Sequence, residues 1–134
     1  MEKAKRSTAK QKATVAPTDR SPQSGDDEFA LLQSLKLNLQ ATREKLMLVQ
    51  PDMLSDEAHA KWSEQIFKVS LAISAVRKAL LGTISAAFAA QLPAIEKATN
   101  KLTDDLFRLQ SAVDVINAVA SVLGIIESIV TLVG

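Results

Sequence analysis

The sequence contains no cysteine, no tyrosine, one histidine and one tryptophan. Without cysteine the chain has no disulfide, no thiolate zinc site and no cysteine nucleophile. A single histidine cannot form a histidine-based metal cluster, and the setting Ala58-His59-Ala60 is typical of a surface residue on a helix. The sequence also lacks Glu-x-x-His signatures and glycine-rich phosphate loops. It therefore predicts no catalytic, cofactor-binding or metal-binding residues, and no enzymatic activity.

Glycine and proline are also scarce, with four of each among 134 residues. These residues punctuate turns, so long stretches without them favour helices over a turn-rich β-fold. Apolar residues make up 47% of the chain, enough to bury a core, and the length suits one domain. The prediction is an all-α protein.

Charge is distributed unevenly along the chain although the net charge is only +1. Residues 1–25 hold six basic and two acidic side chains, and residues 26–134 hold ten basic and thirteen acidic ones. The first segment has few large apolar groups, so we predict a disordered basic tail over 1–25 and a helical bundle domain over 26–134. Nucleic acid is an unlikely partner, because only the tail could bind phosphates.

The tail has three alternative interpretations besides solubility. They are a tether to an anionic membrane, a tether to nucleic acid, and a leader for a specialised secretion machine. No apolar segment follows the basic start, as it would in a Sec signal peptide. The expected location is therefore the cytoplasm, or outside the cell by a route that needs no such signal.

The first helix is predicted at about 27–49, where apolar residues recur at steps of three and four. The acids at 26–28 suit a helix N-terminus, because the helix dipole stabilises negative charge there. Pro51 disfavours helical geometry at the residue before it and therefore ends the helix.

Two longer helices are predicted to follow. The second covers about 56–91 and begins after Ser55, a residue that often caps helix N-termini. The third covers about 93–133, because Pro93 suits the first position of a helix. A break in the third helix near 100–103 is an alternative. The predicted fold is thus a three-helix bundle.

The second and third helices are predicted to form a long antiparallel hairpin that turns near residues 92–93. In this register the numbers of facing residues sum to about 185, so that Trp62 meets Leu123. One turn position brings nearly all apolar residues of the two helices face to face. Gly82 lies inside the second helix as a kink or a small contact residue.

The C-terminal stretch at 115–134 is as long as a membrane span and carries one charged residue, Glu127. Each Leu, Ile or Val favours insertion by only about 0.3–0.6 kcal/mol, whereas an acid opposes it by about 3 kcal/mol. Insertion of this stretch into a bilayer is therefore marginal, and we predict that it forms the central helical segment of the bundle. Glu127 is expected to be partly solvated or paired with Lys61 or His59.

The far part of the predicted hairpin, about 78–107, extends beyond the first helix. Its apolar side chains outside the packed seam are Leu81, Phe88, Leu92 and Phe107. An exposed apolar patch usually marks a contact site. The sequence predicts an interaction or assembly protein with coiled-coil-like packing, which self-associates or binds a protein partner through this tip. The alternative is a membrane-active protein, pore-forming or membrane-inserting, that uses residues 115–134.

Overall fold

The computed structural model describes residues 21–133, with side chains from Asp27 onward. In this range the chain forms four α-helices, a short 3-10 helix and no strand, which confirms the all-α prediction. The α-helices are α1 (Ser21–Met47), α2 (Asp56–Leu80), α3 (Ala86–Arg108) and α4 (Ala112–Val133), and the 3-10 helix spans Pro51–Met53. The predicted disordered tail falls largely on residues 1–20, which lie outside the described residues.

Helix α1 corresponds to the first predicted helix, but it begins at Ser21 instead of near residue 27. Proline is tolerated in a first helical turn because its missing N–H has no partner there, so Pro22 does not prevent this earlier start. The helix ends at Met47, and Pro51 opens the 3-10 helix that follows. The buried apolar residues of α1 are the predicted ones, Leu32, Leu35, Leu39 and Leu46.

Helix α2 begins as predicted and ends eleven residues early. The Ser55 hydroxyl accepts a hydrogen bond from the backbone N–H of Ala58 at 3.1 Å, which caps the helix. The helix stops at Leu80, and residues 81–85 form a loop before α3. The prediction of one helix over 56–91 is therefore wrong. A new helix starts after Ser85, because the Ser85 hydroxyl accepts a hydrogen bond from the backbone N–H of Phe88 at 3.1 Å and caps α3.

Helix α3 contains Pro93 in its interior, so the predicted helix start at this proline is also wrong. The Pro93 side chain is exposed on the outer face of the helix. The helix ends at Arg108, and the Ser111 hydroxyl accepts from the N–H of Asp114 at 3.4 Å at the start of α4. The predicted single helix over 93–133 is thus two helices, and residues 21–133 form four α-helices instead of the three predicted.

Each helix packs mainly against two others around one apolar core. Helices α1 and α2 are antiparallel, and the Trp62 indole donates to the backbone oxygen of Leu46 at 2.7 Å. Helices α3 and α4 are joined by three residues and pack together. Helix α1 lies beside α3, and α2 lies beside α4. The predicted hairpin of the second and third helices is not confirmed, because the main neighbours of α2 are α1 and α4.

The contact between α1 and α3 contains a small polar network. The Asn38 amide donates to the Thr99 hydroxyl at 3.1 Å, and the Ser34 hydroxyl donates to a Glu96 carboxylate oxygen at 2.6 Å. Asn38 and Thr99 are buried, so the hydrogen bond between them replaces hydrogen bonds to water that burial removes. Since residue numbers rise together along both helices, α1 and α3 run parallel.

The contact between α2 and α4 has a different polar character. The buried Gln65 amide donates to the Ile116 carbonyl at 2.9 Å, but its Oε1 atom has no hydrogen-bond partner. Closer to the surface, Lys68 contacts Glu64 at 2.9 Å and also pairs with Glu127. Hydrogen bonds to Glu127 and then Glu64 raise the pKa of Lys68. Glu127 is partly solvated as predicted, but its partner is Lys68 instead of Lys61 or His59.

Candidate functional site

The four residues predicted to bind a partner do not lie on one surface. Phe88 and Leu92 are fully buried and belong to the apolar core. Leu81 and Phe107 are 91% and 89% exposed, the two highest values among the large apolar side chains of the described residues. The four residues separate because α2 ends at Leu80 and a new helix, α3, begins at Ala86. Helix α3 turns Phe88 and Leu92 toward the core.

Leu81 and Phe107 also lie at opposite ends of the domain. The loop after α2 borders a groove with Phe29, near the start of α1. Phe107 borders a groove with Leu48, just after the end of α1. At 1.5 Å per helical residue, the stretch from Phe29 to Leu48, the residue after the end of α1, spans about 28 Å. We call these two regions the Leu81 end and the Leu48 end.

The Leu48 end carries an exposed apolar cluster, which we call the Leu48 patch. Its members are Leu48, Met53 and Phe107, with exposed fractions of 76%, 78% and 89%. Two adjoining grooves of 310 and 360 Å³ both include Leu48 and Lys45 in their walls. Sequence reasoning missed Leu48, which lies outside the apolar seam of the first helix, and Met53, which lies in the connection after that helix.

Charges of both signs surround the Leu48 patch. Glu44 and Lys45 are neighbours in the wall of the larger of its two grooves. On α3, the exposed residues Asp104 and Arg108 lie close to Phe107 in sequence. An apolar centre with a polar rim of mixed charge is typical of a protein-binding surface.

The Leu81 end combines apolar side chains with charges of both signs. Its groove of 410 Å³ is lined by the acid Glu28, by Phe29, Leu80 and Ile84, and by neighbouring residues. Phe29 is half exposed, and Leu81 projects from the adjoining loop. Arg77 and Lys78 form the basic last turn of α2.

A third apolar groove, of 230 Å³, lies between α2 and α4. Its walls include Phe67 and Leu71 from α2, and Val130 from α4. The Lys68–Glu127 ion pair crosses the same groove. Opposite charges of the protein itself therefore already pair across this groove.

Helix α4 is long and apolar enough to cross a membrane by length and composition. Its most apolar 18-residue window has a mean hydropathy of 2.0, and 28% of that window is buried. The hydroxyls of Ser121 and Ser128 donate to carbonyls of their own helix, at 2.6 Å each. Hydroxyls that are bonded in this way reduce the polarity of the outer face of a helix.

Chemistry-bearing residues are dispersed over the described part of the chain. No group of three or more His, Asp or Glu side chains there has an arrangement that suits a metal ion. His59 is exposed and stacks at an angle on Trp62, with ring centroids 5.4 Å apart. The apolar surfaces are therefore the best candidate functional sites within residues 21–133.

Comparison with known proteins gives no relative. The chain matches no family model, no curated protein and no solved structure. Its function therefore has to be inferred from its own surfaces.

Proposed function

We propose that this protein is a non-enzymatic helical bundle that assembles with a second copy of itself through the Leu48 patch. The observation that supports this is the exposure of three large apolar side chains, each more than three quarters exposed, at one end. Monomeric proteins rarely expose contiguous apolar surface of this kind unless it serves a contact.

A second copy of the chain suits the Leu48 patch because the rim of the patch contains charges of both signs. In a two-fold dimer, each surface element meets its own counterpart, so an acid beside a base can pair twice. Glu44 and Lys45 have this arrangement, and Asp104 and Arg108 repeat it beside Phe107. The grooves flanking Leu48 would receive apolar side chains of the partner, in coiled-coil-like packing. Of the predicted tip at 78–107, this proposal retains Phe107 alone.

Light scattering of the full-length chain over a range of concentrations tests the proposal. We expect a dimer mass for the wild type and a lower mass for Leu48→Ser and Phe107→Ser. Leu81→Ser is the matched control, because Leu81 is as exposed as Phe107 but lies at the other end. A wild-type chain that stays monomeric at all concentrations would contradict self-association, and so would an equal loss of mass in Leu81→Ser.

Membrane insertion by α4 is the second candidate function. Its support is an apolar helix of which most of the 18-residue window is not buried by the other helices. Glu127 lies near its C-terminal end and pairs with Lys68 in the folded domain. In this proposal α4 leaves the other helices and crosses the bilayer.

Ile125→Lys tests insertion in the full-length chain. Residue 125 lies at the surface of the folded domain, so the new charge should not disturb folding. Within a bilayer, a lysine near the middle of the helix opposes insertion by about 3 kcal/mol. We expect the variant to lose liposome association that resists alkaline carbonate, while the control Leu48→Lys keeps it. Carbonate-labile binding by the wild type would contradict insertion.

A further inference from the structure

Both methionines in the described part of the chain lie at the Leu48 end. Met47 is the last residue of α1, and Met53 is the last residue of the 3-10 helix that follows. Their side chains are 62% and 78% exposed. The buried apolar side chains among residues 27–133 are Leu, Ile, Val, Ala and Phe, without a methionine. The thioether groups of this part of the chain are therefore at the surface and confined to one end.

The two methionines differ in their relation to the Leu48 patch. Met53 belongs to the patch and lines the groove of 310 Å³ beside Leu48. Met47 lines neither of the two grooves that adjoin the patch. In the proposed dimer, Met53 therefore lies in the interface, whereas Met47 is an exposed neighbour outside it.

A thioether reacts with hydrogen peroxide by oxygen transfer. The sulfur attacks one peroxide oxygen, an S–O bond forms and the O–O bond breaks. The proton on the transferred oxygen goes to the departing hydroxide, which leaves as water. Sulfur loses two electrons and the peroxide gains them. The product, methionine sulfoxide, is a polar side chain in place of an apolar one.

We propose that Met53 is an oxidation site through which peroxide dissociates the dimer. This inference rests on self-association through the Leu48 patch. A two-fold interface contains Met53 from both copies, so each oxidised dimer would bury two sulfoxides. Burial of a polar group removes its hydrogen bonds to water, which the monomer keeps. Oxidation of Met53 therefore favours the monomer.

The dimer in turn protects Met53 from peroxide. The side chain is exposed in the single chain and is covered when a second copy binds, whereas Met47 stays exposed in both states. Tandem mass spectrometry after brief peroxide treatment measures oxidation at each position. We expect Met53 to react at least several-fold more slowly at concentrations well above the dissociation constant of the dimer than at concentrations well below it. Met47 should react at the same rate in both samples and serves as the internal standard.

Light scattering of the full-length chain before and after peroxide treatment tests the proposal. The dissociation constant of the wild-type dimer should rise at least about tenfold, because two polar groups are buried per dimer. Met53→Leu keeps an apolar side chain of similar volume, so it should dimerise like the wild type and withstand peroxide. Met47→Leu is the matched control and should remain sensitive. Each variant keeps the other methionines of the chain, so oxidation elsewhere occurs in both.

The outcomes separate this inference from self-association itself. An untreated chain that is monomeric at all concentrations would contradict both. A dimer whose dissociation constant is unchanged when Met53 is oxidised would overturn the oxidation site alone, and so would a Met53→Leu variant as sensitive as the wild type. Loss of sensitivity in Met47→Leu would assign the effect to Met47 instead. Circular dichroism completes the test, because a loss of helix on oxidation would mean that unfolding, and not Met53, dissociates the dimer.

Discussion

The two ends of the domain expose apolar side chains to a similar degree but surround them differently. At the Leu48 end, the apolar patch lies among charges of both signs with acids in excess. At the Leu81 end, an uncharged loop follows Arg77 and Lys78, and Glu28 lines the adjoining groove. An apolar centre with a polar rim of mixed charge is typical of a protein-binding surface. The surroundings of an exposed apolar residue are therefore more informative about its partner than the residue itself.

The largest expected difference between the ends lies in two phenylalanines on the same helix. Phe88 is fully buried in α3 near the Leu81 end, and Phe107 is exposed at the Leu48 end. We expect Phe88→Ala to lower the free energy of unfolding by about 3–5 kcal/mol, because it opens a core cavity. Phe107→Ala should change it by no more than about 0.5 kcal/mol. Urea denaturation followed by circular dichroism measures both.

Dimerisation would complicate this comparison, so the measurement belongs at concentrations where light scattering reports monomer. If the two variants lost similar stability there, Phe107 would have to be packed in the core. If Phe88→Ala cost nothing, Phe88 would lie outside the core, as the sequence first indicated.

The serine caps provide a smaller test of the same comparison. Ser55 caps α2 at the Leu48 end and Ser85 caps α3 at the Leu81 end, with equal distances of 3.1 Å. We expect each Ser→Ala change to lower the free energy of unfolding by about 1 kcal/mol, and each Ser→Gly control by only a few tenths. A negligible effect of Ser85→Ala would mean that α3 begins later, near Pro93, and that loop 81–85 is longer.

The smallest effect concerns the ion pair midway between the ends. The pKa of Lys68 is raised above its usual value of 10.5 by Glu127 and Glu64. A raised pKa in the folded state stabilises the fold below the unfolded pKa, and this stabilisation is lost as pH rises through the folded pKa. Thermal unfolding above pH 10 should therefore show a small loss of stability that Lys68→Met abolishes.

Lys101→Met is the control for this pH profile. Lys101 contacts Asp105 within its own helix at 3.4 Å, so it links no two helices. We expect this variant to retain the alkaline loss of the wild type. If Lys68→Met lost stability above pH 10 in parallel with the wild type, another group would be responsible for the alkaline loss.

The sequence predicted which residues form the core better than it predicted how helices are connected. Apolar residues at steps of three and four identified Leu35, Leu39, Val69 and Val76 correctly, because burial on one helical face leaves this pattern. The same pattern repeats along every helix, so many registers place apolar residues face to face. The predicted hairpin was one of these registers and had no independent support.

Helix boundaries depended on which local signal dominates. Gly82 and Ser85 together form a stop and a start signal, but the predicted second helix contains Gly82 as a kink or a small contact residue and gives Ser85 no role. The predicted third helix starts at Pro93 instead, although an exposed proline can lie inside a helix. The break at 109–111 contains no glycine or proline, and its only signal is Ser111 followed by Asp114.

The candidate surfaces could be predicted only in part. Leu81 and Phe107 lie off the helical seams, and their exposure follows from that position. Phe88 and Leu92 lie on the face of α3 that packs into the core, and this burial follows only from the observed boundary between α2 and α3. Assigning Leu81 and Phe107 to opposite ends required the true connection between α2 and α3, which local patterns do not contain.

The position of the loop at 81–85 would allow two copies of the chain to exchange helix pairs. It connects two antiparallel helix pairs, α1 with α2 and α3 with α4, whose mutual contacts are those of α1 with α3 and of α2 with α4. If this loop opened, the second pair of one chain would fit onto the first pair of another with the same interhelical contacts. This arrangement of contacts is compatible with domain swapping, with Gly82 in the hinge. Shortening the loop should shift the population toward intertwined dimers.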